Sequence, residues 1–243
     1  MSRVAKGLSL VAGGAVSGGS ARPERRPFPS EAGDAWTLPG PAQPTLSELF
    51  AVHPRDGGWA GLLLTQAASA KPLLWIQDRM AIVESGRVYP PGLPSCDLIH
   101  VEARDARDAL WAMEEGLRCP ALSCVIGEIW GDPKALDFTA TRRLAVAAER
   151  SGVPCWLVRF NGIANLSGAR MRWRIASAPS LANALDPKAP GQPVWEAELF
   201  RARGFQPGRW SIAHDPQAEP ANRLRLLAAA GDRTLAEDQR RRA

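Results

Sequence analysis

The chain contains no apolar run near the roughly 18 residues that a membrane-spanning helix needs, so no membrane role is expected of it. It has no Gly-x-Ser-x-Gly elbow and only three histidines. His53 falls in a turn, His100 within an apolar strand and His214 at a strand end, which excludes a nucleophile–histidine hydrolase. The four cysteines, Cys96, Cys119, Cys124 and Cys155, form no Cys-x-x-Cys pair and cluster with no histidine, so no metal site is expected. Three of them, Cys119 excepted, lie in or beside strand-like runs and read as small buried residues in a reducing cytoplasm.

What is present is an ordinary globular composition. The 243 residues are 45% hydrophobic and 23% charged, enough for one sizeable domain with extensions. The net charge of +5 permits contact with nucleic acid without requiring it. Residues 1–43 are rich in Gly, Pro, Ser and Ala and read as a flexible or disordered segment. Their first part imitates a signal peptide, but its apolar portion is short and diluted, so a flexible leader is expected. Residues 44–215 read as the core domain, and residues 216–243 as a weakly helical C-terminal tail.

Within the core, "TLSELFAV" carries Thr45 and Glu48 at capping-box spacing and predicts a short helix. "WAGLLLTQAASA" predicts a second helix, and "DRMAIVESGR" a third, with Asp78 as its cap. "PLLWIQ", "DLIHVEA", "ALSCVIGEIW" and "VPCWLVRF" are short apolar runs that read as buried strands. They alternate with "DARDALWAMEEGLR", capped by Asp105, and "DFTATRRLAVAAERSG", a helix stopped at Gly152. This alternation predicts an α/β fold with a mostly parallel sheet. After Phe160, "RMRWRIAS", "VWEAELF" and "RWSIAH" alternate strictly and predict half-buried strands, antiparallel in part, that extend the sheet.

Three places offer chemistry. "HPRDGGWAGLLL" has Gly57, Gly58 and Gly61 where a phosphate loop would curl. It lacks the lysine and hydroxyl such a loop needs for phosphates and magnesium, and Leu62, Leu63 and Leu64 stand instead. "CVIGEIWGD" offers Glu128 and, after the strand, Asp132 as the acidic residue a nucleotide hydrolase would place on magnesium, and "IQDR" at the end of the first buried strand adds Gln77 and Asp78. From Arg159 to Arg209 there are eight positive residues against three acidic ones. Arg170, Arg172 and Arg174 share one strand face, and with Arg159, Arg201 and Arg203 they are candidate contacts for a phosphate backbone or a partner. The other reading pairs the ladder with Glu196 and Glu198 across the sheet. In the tail, Leu224, Leu226 and Leu227 would dock into a partner groove or simply fray.

Taken in order, "LSELF", "PLLWIQDR", "GRVYPPGL", "ARDALWAMEEGLRCPAL", "IGEIWGDPKALDFTATRRLAVAAERSGVP", "RWRIASAPS" and "WEAELFRARG" resemble the ImuA family, over about Thr45 to Asp215. That family comprises the RecA-related, damage-inducible mutagenesis proteins of bacteria. The resemblance implies a RecA-like core and a role in SOS-induced translesion synthesis. The implied partners are ImuB, a Y-family polymerase relative, and an error-prone C-family replicative-type polymerase. The RecA recombinase is a further candidate, with DNA met directly or through these partners. It also implies a cytoplasmic protein, nucleoid-associated when active. On this alignment "HPRDGGWAG" holds the phosphate-loop position, "CVIGEIWG" the magnesium-binding strand and "FNGIANLSGAR" the place of a DNA-binding loop. The missing lysine and hydroxyl argue for a non-catalytic accessory protein with no cofactor. A divergent DNA-stimulated ATPase using Glu128 and a division inhibitor of related fold are the alternatives.

Overall fold

In a computed structural model the described residues are 44–229, apart from 67–70, 94–96, 184, 187, 216 and 219–222. The leader at 1–43, Cys96 and the end of the tail at 230–243 lie outside them. The elements run in order as strand β1 (Leu46–Ala51), helix α1 (Gly58–Gln66), β2 (Leu73–Asp78), α2 (Arg79–Ser85), β3 (Leu98–Ala103), α3 (Ala106–Gly116), β4 (Cys124–Trp130), α4 (Phe138–Ser151), β5 (Cys155–Phe160), β6 (Met171–Ala178), β7 (Val194–Ala202), β8 (Gly208–His214) and β9 (Leu224–Ala229).

All nine strands form one sheet in the order β3-β2-β4-β5-β1-β6-β7-β8-β9. The first six in that order pair in parallel, and β7, β8 and β9 continue antiparallel. Helices flank both faces, each over its own apolar core. Trp59, Leu62, Leu63 and Leu64 of α1 and Ala81 of α2 fill one, and α3 and α4 with Leu110, Met113, Leu144 and Ala148 fill the other. This is the RecA-like α/β architecture expected from the sequence. No described helix is long and apolar enough to cross a membrane.

Local signals account for most boundaries. Asp78, Asp105 and Asp137 cap α2, α3 and α4 through side-chain oxygens that accept backbone N–H groups. Gly152 ends α4 at φ 73°, the left-handed stop that glycine allows. Half-buried Glu196 and Glu198 on β7, against buried Trp195, Ala197 and Leu199, follow the predicted alternation.

Two predicted elements are different. "LSELF" is not a helix but β1, placed between β5 and β6 with Leu46 and Glu48 fully buried. Glu48 is no capping-box residue. Its carboxylate accepts a 2.6 Å bond from Arg172 Nε on β6, and a buried partner removes the penalty that a strand interior would impose on it. The tail, likewise, is not weakly helical where it is described. "LRLLAA" forms β9 on the open edge of β8, and Leu224 and Leu226 are 1% exposed. Helix propensity at these residues is a few tenths of a kcal/mol, whereas burial of two leucines is worth several (about 1.5–3 kcal/mol each). The sheet therefore runs past residue 215, and Leu224 is a core residue rather than a docking one. Leu227 is half-buried.

Candidate functional site

In a parallel α/β sheet, ligand sites form beyond the carboxyl ends of the strands. There β1 leads through residues 52–57 into α1, the place where a phosphate loop would stand. The N-terminus of a helix attracts an anion through its unpaired N–H groups and its dipole. In this protein the anion is Asp56. Its Oδ1 accepts from Gly58 N at 2.9 Å and from the Ser177 hydroxyl at 2.6 Å, and its Oδ2 accepts from Ser177 N at 2.6 Å. Burial pushes the Asp56 carboxyl up, but the Ser177 hydroxyl, the Ser177 backbone and Gly58 N outweigh it and hold it below its ordinary value. It is an ionised cap, tethering the loop to the end of β6.

The glycines nearby serve close packing. A Cβ on Gly58 would overlap the Ser177 hydroxyl oxygen, and one on Gly61 would lie 3.0 Å from Trp195 Cζ2 on β7. Gly57 has open space around it. Two of the three glycines thus allow α1 to lie against β6 and β7. Beyond them, Trp59 sits 5.7 Å from Trp75 and 6.1 Å from Phe160, and Phe160 stacks on Trp130. This aromatic cluster fills the space under α1.

Glu128 lies on the same face of β4, in register with Gln77 of β2. It is 3% exposed, and both of its oxygens are taken: Oε1 accepts from Trp75 Nε1 at 2.5 Å and Oε2 from Gln77 Nε2 at 2.9 Å. Gln77 also donates to Gly86 O, and its Oε1 accepts from Val88 N and lies 3.0 Å from His100 Nε2. Burial raises the Glu128 pKa to about 7, against the downward pull of Gln77 and Trp75. Asp78 caps α2 at Ala81 N and holds Trp130 N, and burial raises its pKa too. The structure thus brings Gln77 and Glu128 into one hydrogen-bonded network, whereas Asp78 faces the start of α2.

The arginines divide into two groups. Arg172 is 3% and Arg159 4% exposed, and both flank Glu48, at 2.6 and 3.7 Å. Arg159 also pairs with Asp132, which accepts from Ile163 N. Arg172 and Arg174 sandwich the Phe200 ring at 5.3 and 4.1 Å, and Arg174 pairs with Glu198. Arg170 pairs with Glu149 at 2.7 Å. The ladder on β6 is therefore matched within the molecule, as the cross-sheet reading expected at Glu198, while Glu196 instead accepts from the Ser211 hydroxyl. Buried Arg159 and Arg172 are corrected as phosphate-backbone contacts: no face of either reaches solvent. Arg201 and Arg203 stay exposed and form no ion pair among the described residues.

Sequence reasoning missed Asp56, Ser177, Trp75 and Glu48 as site-forming residues, whereas Asp132, read as a candidate after the strand, is held by Arg159 and Ile163 N. Asp56 carried a usable signal, an Asp-Gly-Gly before an apolar helix. The others depend on partners far along the chain.

No protein-family model matches the chain. Two curated proteins do, both named Protein ImuA, from Caulobacter vibrioides strains NA1000 / CB15N and ATCC 19089. Each is 32% identical over 174 residues, covering 68% of this chain and 69% of the relative. The chain belongs to the ImuA family. It is therefore a member of the accessory proteins of DNA-damage-inducible mutagenesis. The ImuA resemblance drawn from the ordered motifs is thereby established.

Proposed function

We propose that this ImuA-family protein is a non-catalytic accessory factor of SOS-induced, error-prone translesion synthesis. It would act by linking an ImuB-type Y-family polymerase relative to an error-prone C-family polymerase, with the RecA recombinase as a further contact. The observation that carries the non-catalytic reading is Asp56. A carboxylate already bound at the N-terminus of α1 meets an incoming phosphate with like charge, and no lysine follows to offset it. The state of Glu128 supports the same reading. A magnesium ligand or general base must reach the substrate, and both Glu128 oxygens are held by Trp75 and Gln77 inside the protein.

Calorimetric titration of the purified protein with ATP and magnesium, with and without DNA, tests the nucleotide half. No heat is expected up to millimolar ATP, and micromolar binding with DNA-stimulated hydrolysis would overturn it. The accessory half is tested in cells. Deleting the gene is expected to lower damage-induced mutation frequency, and Glu128→Gln is expected to restore it when supplied in trans. A deletion strain with unchanged mutation frequency would refute the assignment.

A further inference from the structure

On the face of the sheet opposite α1, a cavity of about 910 Å³ opens between α4 and the end of the sheet where β6 begins and β7 finishes. Its chemistry follows from a few residues. Phe138 and Arg142 stand one helical turn apart on α4 and so project from one face. Arg170 leads into β6, Arg201 is the penultimate residue of β7, and Arg203 occupies the following turn, where Gly204 takes φ 87°. The backbone N–H of Arg203 donates to Arg170 O at 2.9 Å, which fixes the two arginine-bearing segments together. The near wall is fixed as well. Gly168 N donates to Thr141 Oγ1 at 2.9 Å, and a Cβ on Gly168 would lie 2.6 Å from the Arg142 backbone. That contact draws the chain before β6 tightly onto α4.

Among the described residues no acidic side chain lines the cavity. Arg170 is neutralised by Glu149, but Arg142, Arg201 and Arg203 are exposed and form no ion pair among the described residues. Glu149, already paired with Arg170, is the carboxylate whose field reaches Arg203, so the arginines lining the concavity carry a net positive charge that an anion would offset. Phe138 is 41% exposed at the same cavity, whereas the Phe200 ring is already covered by Arg172 and Arg174.

We propose that this cavity is a binding site for single-stranded nucleic acid, with Arg142, Arg201 and Arg203 on consecutive phosphates and Phe138 stacked on a base. Guanidinium forks match phosphate oxygens, and an exposed ring matches the base that accompanies each phosphate. An acidic peptide would supply the charge and leave Phe138 unused. A duplex keeps its bases stacked inside, so it would meet the arginines and leave Phe138 without a base to stack on. The site lies across the sheet from Asp56 and does not depend on whether nucleotide binding has been lost.

The test is fluorescence anisotropy of a labelled oligothymidylate of about 20 nucleotides, titrated with the full chain at several salt concentrations. The variants are Arg142→Gln/Arg201→Gln/Arg203→Gln, Phe138→Ala, and a control that removes the same charge elsewhere, Arg79→Gln/Arg107→Gln/Arg118→Gln. Thermal melts establish that each is folded. The cavity triple is expected to weaken binding at least tenfold. It should also reduce the slope of log K against log salt by about 2, since each phosphate no longer neutralised takes away roughly 0.7. Phe138→Ala is expected to weaken binding about fivefold or more with the slope unchanged. The control triple is expected to change affinity less than about twofold, the cavity arginines being intact. The proposal is overturned if the wild type fails to bind the oligomer at low salt, or if the two triples weaken it equally. It is also overturned if a polyglutamate peptide competes equally well against wild type and Phe138→Ala, which would assign the cavity to an acidic protein segment.

Discussion

Glu128 provides the sharpest quantitative test of the buried network beneath α1. Its pKa rises from 4.5 to about 7 on folding because burial disfavours the charged carboxylate. The folded protein therefore binds this proton more tightly than the unfolded chain. Stability from this group is fully present below pH 4.5 and is lost as the pH climbs through about 7. At about 1.4 kcal/mol per pH unit the full loss comes to about 3 kcal/mol. Glu128→Gln keeps the shape, stays neutral and removes the titration. Urea unfolding of both proteins from pH 4 to pH 8 isolates the effect, since the other titrating groups, Asp78, His100 and His214 among them, are common to both. Relative to wild type, the variant should become more stable by about 3 kcal/mol between the two ends of that range. At low pH it should be somewhat less stable, because the Gln amide can accept from only one of Trp75 Nε1 and Gln77 Nε2 through its oxygen. Stability profiles that run parallel across the whole range would refute the reasoning, since Glu128 would then remain ionised in the folded protein.

The remaining predictions concern the loop, the buried ion cluster and the last strand. Asp56→Ala should cost about 1–2 kcal/mol, the usual loss for a helix cap, and that difference should shrink as the pH falls below about 3.8 and wild-type Asp56 loses its depressed-pKa stabilisation. Gly58→Ala should destabilise by about 1 kcal/mol by displacing the Ser177 hydroxyl, and most of that cost should vanish in a Ser177→Ala background; additive costs in this double-mutant cycle would show that Gly58 serves something other than packing on Ser177. Glu48→Gln should lower stability by about 3–5 kcal/mol, because it leaves Arg159 and Arg172 buried without their shared carboxylate; a denaturation midpoint within error of wild type would contradict the assignment. Truncation after Asp215 removes β9 and forfeits the burial of Leu224 and Leu226, about 3–6 kcal/mol before the ordering of the strand is set against it, an outcome read as a lower melting temperature and disproved by an unchanged one.

What could be read from the sequence follows the range of the interactions. β2 to β5 and their helices are set by local apolar runs and by caps a few residues away, and Asp78, Asp105 and Gly152 act where the sequence placed them. β1 was misleading because Thr45 and Glu48 imitate a capping box, while the partners that allow a buried glutamate lie on β5 and β6, more than 100 residues on. β9 combines leucine, arginine and alanine, a helical composition, and only the unfilled edge of β8 makes it a strand. The arginine alternation on β6 was plain, but of its partners only Glu198 was visible, since Glu48 and Glu149 reach it across the fold. The glycines at 58 and 61 likewise gave no sign that Ser177 and Trp195 are what they accommodate.

These cases share one physical pattern. Each polar position that a nucleotide enzyme of this architecture would leave available for its substrate is here satisfied by the chain itself: the α1 N-terminus by Asp56, Glu128 by Trp75 and Gln77, and Arg159 by Asp132 and Glu48. A satisfied group is costly to recruit, because a ligand must first displace its internal partner and leave that partner buried and unpaired. Recognition by this protein should therefore fall to groups that remain exposed and in no ion pair among the described residues. Arg142, Arg201, Arg203 and Phe138 meet that condition together and share one cavity. The fold has kept its sheet while the part of its surface open to a partner lies across that sheet from α1, so substitutions beneath α1 should act mainly on stability and those beside α4 mainly on binding.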